Sequence, residues 1–165
     1  MTTLAFQDAY PDEFAHCYGC GRLNLSGLQL KTRWAADAPE ETETRFTPRP
    51  EHTAMPGFVY GGLVASIIDC HGTGSAAGAA MRAEGREPGA ADSGPAPRFV
   101  TASLKVDYLK PTPHGVELVA RGKIREIKGR KVIVDAELSA QGTVVAKGEI
   151  IAVRIPDSMS GARTS

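Results

Sequence analysis

The chain has 165 residues, with 19 Lys plus Arg against 19 Asp plus Glu, so its formal net charge is zero. Its length suits one domain that buries roughly 70% of its unfolded surface. Balanced charge gives no drive toward nucleic acid or a membrane surface, no apolar run is long enough to span a bilayer, and the N-terminus lacks a basic region, so a soluble, cytoplasmic protein is expected.

Residues 1–16 are mixed in character and read as a loosely packed part of a lead-in that extends to residue 26. From Gly27 the pattern alternates, with Leu28, Leu30, Thr32 and Trp34 on one face and Gln29, Lys31 and Arg33 on the other, which predicts a strand. A second alternation runs from Glu41 to Phe46 and is broken by Pro48 and Pro50. About Gly62 to Met81 is a helix that is apolar or small nearly all round, so it is expected to be buried on most sides. Gly72, Gly74 and Gly78 are poor helix formers and predict a close approach of neighbouring backbone.

Residues 83–98 are rich in Gly, Pro, Ala and Asp and read as a long mobile loop. Four strands follow. Leu104, Val106 and Tyr108 mark the first, Val116 to Ile124 the second, Val132 to Leu138 the third, and Val144 to Val153 the last. Lys128-Gly129 and Gln141-Gly142 predict tight hairpins between the last three. Pro156 onward reads as a frayed tail. The domain is therefore placed at 27–155, after a lead-in at 1–26 and before a tail at 156–165. One helix cannot cover both faces of a parallel sheet. The economical packing is an α+β fold, an antiparallel sheet curled around a single helix.

Asp69 is the only acidic residue between Glu51 and Glu84. A carboxylate in so apolar a helix is costly to bury unless something satisfies or uses it. Gly61 and Gly62, just upstream, place free backbone amides at the positive end of the helix dipole. Cys17 and Cys20, with His16 beside them, invite a zinc reading. Zinc needs further ligands, no second pair stands at finger spacing, and His52, Cys70, His71 and His114 are scattered, so no metal site is expected. Cys70 and His71 are adjacent on the helix and point to different faces, which excludes a nucleophile–base pair. Cys70 is expected in the core, and His71 as a satisfied interface or pocket residue.

The ordered motifs resemble the hotdog-fold acyl-CoA thioesterases of the phenylacetate-pathway and THEM type, over Cys17 to Val153. Cys20-Gly21-Arg-Leu-Asn24-Leu-Ser-Gly27-Leu28 is similar to the family's Cys-Gly-x-x-Asn-x-x-Gly-Leu segment. Pro56-Gly57-Phe-Val-Tyr60-Gly61-Gly62, with Asp69 at the matching spacing, resembles its His-Gly-Gly…Asp signature. Tyr60 stands where the family usually has His. Thr101 to Pro113 resembles its Thr-x-x-Leu…Tyr-x-x-Pro-x-Pro strand, and Gly129-Arg130-Lys131 its basic turn. The resemblance implies acyl-CoA thioester hydrolysis without a cofactor, coenzyme A being part of the substrate. It implies subunit-interface sites, with Thr101 beside the carboxylate.

In such a site Asp69 is the expected general base or nucleophile, and the amides of Gly61, Gly62 or Leu63 form the oxyanion hole. Tyr60, Leu63 and Asp107 are candidate substrate contacts. Arg130, Lys131 and Lys110 are candidates for the coenzyme A phosphates. Gly61 and Asp69 stand ~12 Å apart along one helix, too far to share a carbonyl carbon. An isologous dimer is therefore expected to complete the site, with tetramers as a further assembly. The alternatives are a hydratase or dehydratase of the same fold, which wants a His plus an acid, and a non-catalytic acyl-CoA-binding protein.

Overall fold

The computed structural model describes residues 4–159. Six strands form one antiparallel sheet in the order β1-β2-β4-β5-β6-β3, and one long helix packs on its inner face. The strands are β1 (Thr32–Trp34), β2 (Glu41–Phe46), β3 (Phe99–Tyr108), β4 (Leu118–Lys128), β5 (Lys131–Ala140) and β6 (Thr143–Arg154); the helix is α1 (Gly61–Ala83). This is the hotdog arrangement that the motifs imply.

The core lies between α1 and the inward residues of β4, β5 and β6. Val64, Ile67, Ile68 and Met81 meet Leu118, Val132, Val134, Leu138 and Ile150, all almost fully buried. Burying side chains of this size contributes roughly 1.5–3 kcal/mol each. The alternation read from the sequence survives in β5, where Val132, Val134, Ala136 and Leu138 are inside. The opposite face of the sheet is charged. Arg125 pairs with Asp135 on the neighbouring strand and with Glu149 two strands away, and Lys147 pairs with Glu137 across β5 and β6. The β5–β6 hairpin turns at Gln141 (φ 50°) and Gly142 (φ 78°), the left-handed pair that a two-residue turn requires.

The structure departs from expectation in five places. The first strand spans only Thr32–Trp34, because Gln29 takes a positive φ of 57° and interrupts the extended backbone. Leu28 and Leu30 are nevertheless buried, held by backbone bonds to the carbonyls of Tyr18 and Gly19. The expected loose lead-in is instead part of the core: Phe6, Gln7 and Tyr10 are buried, the first two within the 3-10 turn Phe6–Ala9. Its anchor explains one helical glycine, since a Cβ at Gly78 would sit 2.5 Å from the Phe6 ring. The space beside Gly72 is likewise filled by Ile150 and that beside Gly74 by Gln7, so side chains rather than backbone occupy these notches. The 83–98 loop is irregular but anchored, with Arg86 donating to the carbonyls of Ser93 and Pro95. Of the expected tail, Asp157–Met159 forms a 3-10 turn, and 160–165 lie outside the described residues.

Candidate functional site

Two half-sites lie at different heights along α1. The lower one is the helix start. The loop before it is stapled to the segment after β3: Val59 N–H donates to the Thr112 carbonyl at 2.9 Å, and His114 N–H to Gly57 at 2.9 Å. The Pro111-Thr-Pro113 segment thus fixes the angle at which the chain enters the helix. At the first turn, Leu63 and Val64 N–H both donate to the Tyr60 carbonyl, at 3.0 and 3.5 Å. Leu63 is therefore removed from the expected oxyanion donors. Among the described residues the Gly61 and Gly62 amides have no acceptor, as the first amides of a helix must unless something caps them.

Two half-exposed tyrosines bracket these glycines. A Cβ at Gly62 would lie 2.3 Å from the Tyr60 ring, so that ring folds back over the glycine. From the other side the Tyr108 hydroxyl donates to the Gly61 carbonyl at 2.7 Å. Tyr108 was legible only as a strand residue; its ring lies over the helix start because β3 runs past it. A cavity of about 250 Å³ opens here, lined by Val59, Gly61, Val64, Tyr108 and Lys110 among others. Lys110 is thus at the helix start.

The upper half-site is Asp69, in the third turn of α1 and half-buried. The Thr101 hydroxyl donates to its carboxylate. Ser66, an alternative partner, bonds instead to the Gly62 carbonyl at 2.8 Å. The Thr101 contact depends on a bulge. Thr101 pairs with Ala152 but Ser103 pairs with Ile151, leaving Ala102 as the extra residue. Without it, Thr101 would share a face with Ser103, Lys105 and Asp107, on the far side of the sheet. With it, Thr101 joins Leu104, Val106 and Tyr108 on the side facing the helix.

Asp107 is not part of either half-site. It lies on the charged outer face, 3.4 Å from Lys105, in a concavity of about 410 Å³ that Glu137, Lys147 and Glu149 also line. Its period-two position on β3 decides this. Exposed Arg130 and half-buried Lys131, the latter 3.8 Å from Glu126, form the β4–β5 hairpin tip; Lys131 pairs with Val153, which pairs with Val100, so the tip stands at the Thr101 end of the sheet. Within one chain the structure brings together Asp69 with Thr101, and Gly61 and Gly62 with Tyr60, Tyr108 and Lys110, but not one group with the other.

His71 is neither an interface nor a pocket residue. It is fully buried, with Nδ1 2.8 Å from Thr44 Oγ1 and Nε2 3.3 Å from Thr42 Oγ1. The network continues through Ser75, Thr32 and Gln7. Burial lowers its pKa to about 3. Cys70 leaves the helix in another direction, toward Gly19, which removes any nucleophile–base pairing with His71.

A single helix gripped by one antiparallel sheet, with an acid–hydroxyl pair on its flank and bare amides at its start, defines a hotdog protein. The family model described as the thioesterase superfamily matches residues 56–147, and the chain belongs to that superfamily. A thioesterase-superfamily protein of Shewanella loihica, of known crystal structure, is 47% identical, with a TM-score of 0.66 over 91% of this chain and 99% of that one. The acyl-coenzyme A thioesterase THEM4 of Xenopus laevis is 30% identical over 110 residues, covering 67% of this chain and 42% of that protein, so the chain spans less than half of that relative's length. A Bacillus halodurans protein solved with CoA shares the fold at 22% identity and a TM-score of 0.56, over 78% of this chain and 76% of that one. No helix among the described residues is long and apolar enough to cross a membrane.

Proposed function

We propose that the chain hydrolyses acyl-CoA thioesters in sites completed by a second copy of itself. The carrying observation is the separation of the two half-sites. Asp69 with Thr101, and the unpaired Gly61 and Gly62 amides, belong to one helix yet stand ~12 Å apart along it. Thr101 and Tyr108 are likewise ~23 Å apart along β3. Neither half can act alone on one carbonyl.

The edge of the sheet supplies the remedy. β3 is the outermost strand on its side, ten residues long, and Val100, Leu104 and Tyr108 are 47%, 37% and 54% exposed. A long exposed edge of this kind invites pairing with another strand. Antiparallel pairing of β3 with its symmetry mate sets the Thr101 end of one protomer against the Tyr108 end of the other. Asp69 of one chain then faces the helix start of its partner, and the interface is isologous.

In that site the amides of Gly61 and Gly62 bind the thioester oxygen and stabilise the oxyanion as it forms. Asp69 takes a proton from water as the water attacks the carbonyl carbon, with Thr101 orienting the carboxylate. Collapse of the tetrahedral intermediate breaks the carbon–sulfur bond. The carboxyl proton passes to the leaving thiolate, so free acid and coenzyme A depart. Lys110 beside the helix start, and Arg130 and Lys131 at the hairpin, are the basic groups offered to the phosphates.

The test is thiol release from acetyl-, phenylacetyl-, benzoyl- and long-chain acyl-CoA. Asp69→Asn is expected to lower turnover at least ~100-fold on whichever ester is cleaved. Wild-type turnover by that variant would refute the assignment, and binding without turnover of any ester would favour a sensor. Single turnover in ¹⁸O-water separates base from nucleophile, because only attack by the carboxylate leaves label in Asp69.

A further inference from the structure

The fold gathers all three cysteines of the chain into one cluster that the hydrolytic site does not use. Cys17 and Cys20 come from the loop before β1, and Cys70 comes from α1, fifty residues away. Their three Sγ atoms lie within 4.8 Å of one another, and all three are free thiols. We propose that Cys17, Cys20 and Cys70 form a three-thiolate site for a thiophilic divalent cation, zinc(II) in the first instance.

The spacing fits. Three sulfurs at zinc–thiolate bond length around a tetrahedral ion are ~3.8 Å apart, which small side-chain rotations reach from the observed cluster. A disulfide would use two of the sulfurs and strand the third, whereas a metal uses all three. The Cys-x-x-Cys pair supplies the chelating turn, and Cys70 supplies the ligand that spacing along the sequence does not reveal.

The loop is built to hold its two thiols still. Gly21 N–H donates to the Cys17 carbonyl at 2.8 Å, and Leu28 and Leu30 N–H donate to Tyr18 and Gly19 at 2.8 and 2.9 Å. The Gln29 side-chain amide spans the Gly21 and Asn24 carbonyls, at 2.7 and 2.6 Å. A Cβ at Gly19 would lie 2.3 Å from Cys70 Sγ, so glycine there lets the third thiol reach the loop backbone. Conformational cost is therefore met by the fold before any ion arrives.

Charge and exposure complete the argument. Three thiolates and a zinc ion carry one net negative charge, and the Arg98 guanidinium, within electrostatic range of all three cysteines, offsets it. Tyr10, over whose ring Arg98 stacks at 5.0 Å, has a buried hydroxyl that takes no partner at hydrogen-bond geometry among the described residues. Cys20 and Cys70 are buried, but Cys17 is half-exposed and gives the ion a way in and a solvent ligand for its fourth position. The ion would tie the loop to α1 at the residue after Asp69.

Zinc content settles the matter without reference to turnover, so it is independent of the hydrolytic reading. Reduced full-length protein is expected to hold about one zinc(II) per chain against a chromophoric chelator. Cobalt(II) in its place is expected to give a thiolate-to-metal charge-transfer band. Cys17→Ser, at the half-exposed position where folding is least at risk, is expected to weaken zinc binding at least ~100-fold and abolish the band. His16→Ala, beside the pair but outside the cluster, is expected to change neither. Equal zinc retention by wild type and Cys17→Ser overturns the proposal. So does mass spectrometry after alkylation that finds two of the thiols joined as a disulfide in protein purified without oxidant.

Discussion

Lowering the pH from about 7.5 to about 5 should remove about 2 kcal/mol of folding stability through His71 alone. The imidazole is fully buried between α1 and β4, where a Cβ at Gly122 would come within 2.4 Å of its Nε2. Its neighbours Thr42, Thr44 and Ser75 are hydroxyls, without a carboxylate to compensate a charge. Burial therefore depresses the folded pKa to about 3, against about 6.5 in the unfolded chain. Because the folded value is lowered, the unfolded state binds the extra proton. Stability is full above about pH 6.5, falls by about 1.4 kcal/mol per pH unit below it, and stops falling below about pH 3. Urea denaturation at a series of pH values, on wild type and His71→Gln, reads the effect. The variant should be less stable at neutral pH, where it loses the packed ring, yet should show a flatter slope between about pH 6.5 and 5. His52, whose pKa burial also lowers, stays in both proteins and cancels in the comparison. Equal slopes in the two proteins, or an imidazole of His71 that titrates near 6.5 by NMR, would refute the reasoning.

Other expectations concern the edge strand, the carboxylate's partner and the helix glycines. Leu104→Glu puts a charge on the exposed β3 edge and should raise the dimer dissociation constant at least ~100-fold, with matching loss of thiol release but unchanged circular dichroism; activity in a strict monomer by sedimentation would contradict the shared site. Thr101→Val removes the hydroxyl that bonds Asp69 and should lower kcat roughly tenfold to hundredfold while leaving KM nearly constant, measured by steady-state thiol release. Gly72→Ala improves helix propensity by about 1 kcal/mol. It should nevertheless destabilise by roughly 1–3 kcal/mol in urea, since the new Cβ would meet Ile150 Cγ1 at 2.5 Å in the core. A net gain in stability would show that Ile150 can yield.

The local features were legible because they depend on near neighbours. Period-two alternation fixed Glu41–Phe46 and the inward face of β5, and the helix length followed from an unbroken run of apolar and small residues. Asp69 stood out because a lone carboxylate in such a helix needs an explanation, and Thr101 was the partner that the family resemblance implied. Spacing along a helix alone gave the expectation that Gly61 and Asp69 work from separate chains.

Only the tertiary structure could decide what depends on register and on contacts between distant segments. One extra residue at Ala102 moves Thr101 to the helix side and leaves Asp107 on the charged face, and a bulge writes no clear signal in composition. The positive φ of Gln29 shortens the first strand because loop contacts from Tyr18 and Gly19 outweigh local alternation. The Tyr60 carbonyl takes the Leu63 amide, which narrows the candidate oxyanion donors to two glycines. Cys70, read as a core residue, is indeed buried, but it also meets Cys17 and Cys20. Sequence spacing reports neighbours along the chain, and these three sulfurs become neighbours only when the loop folds down onto α1.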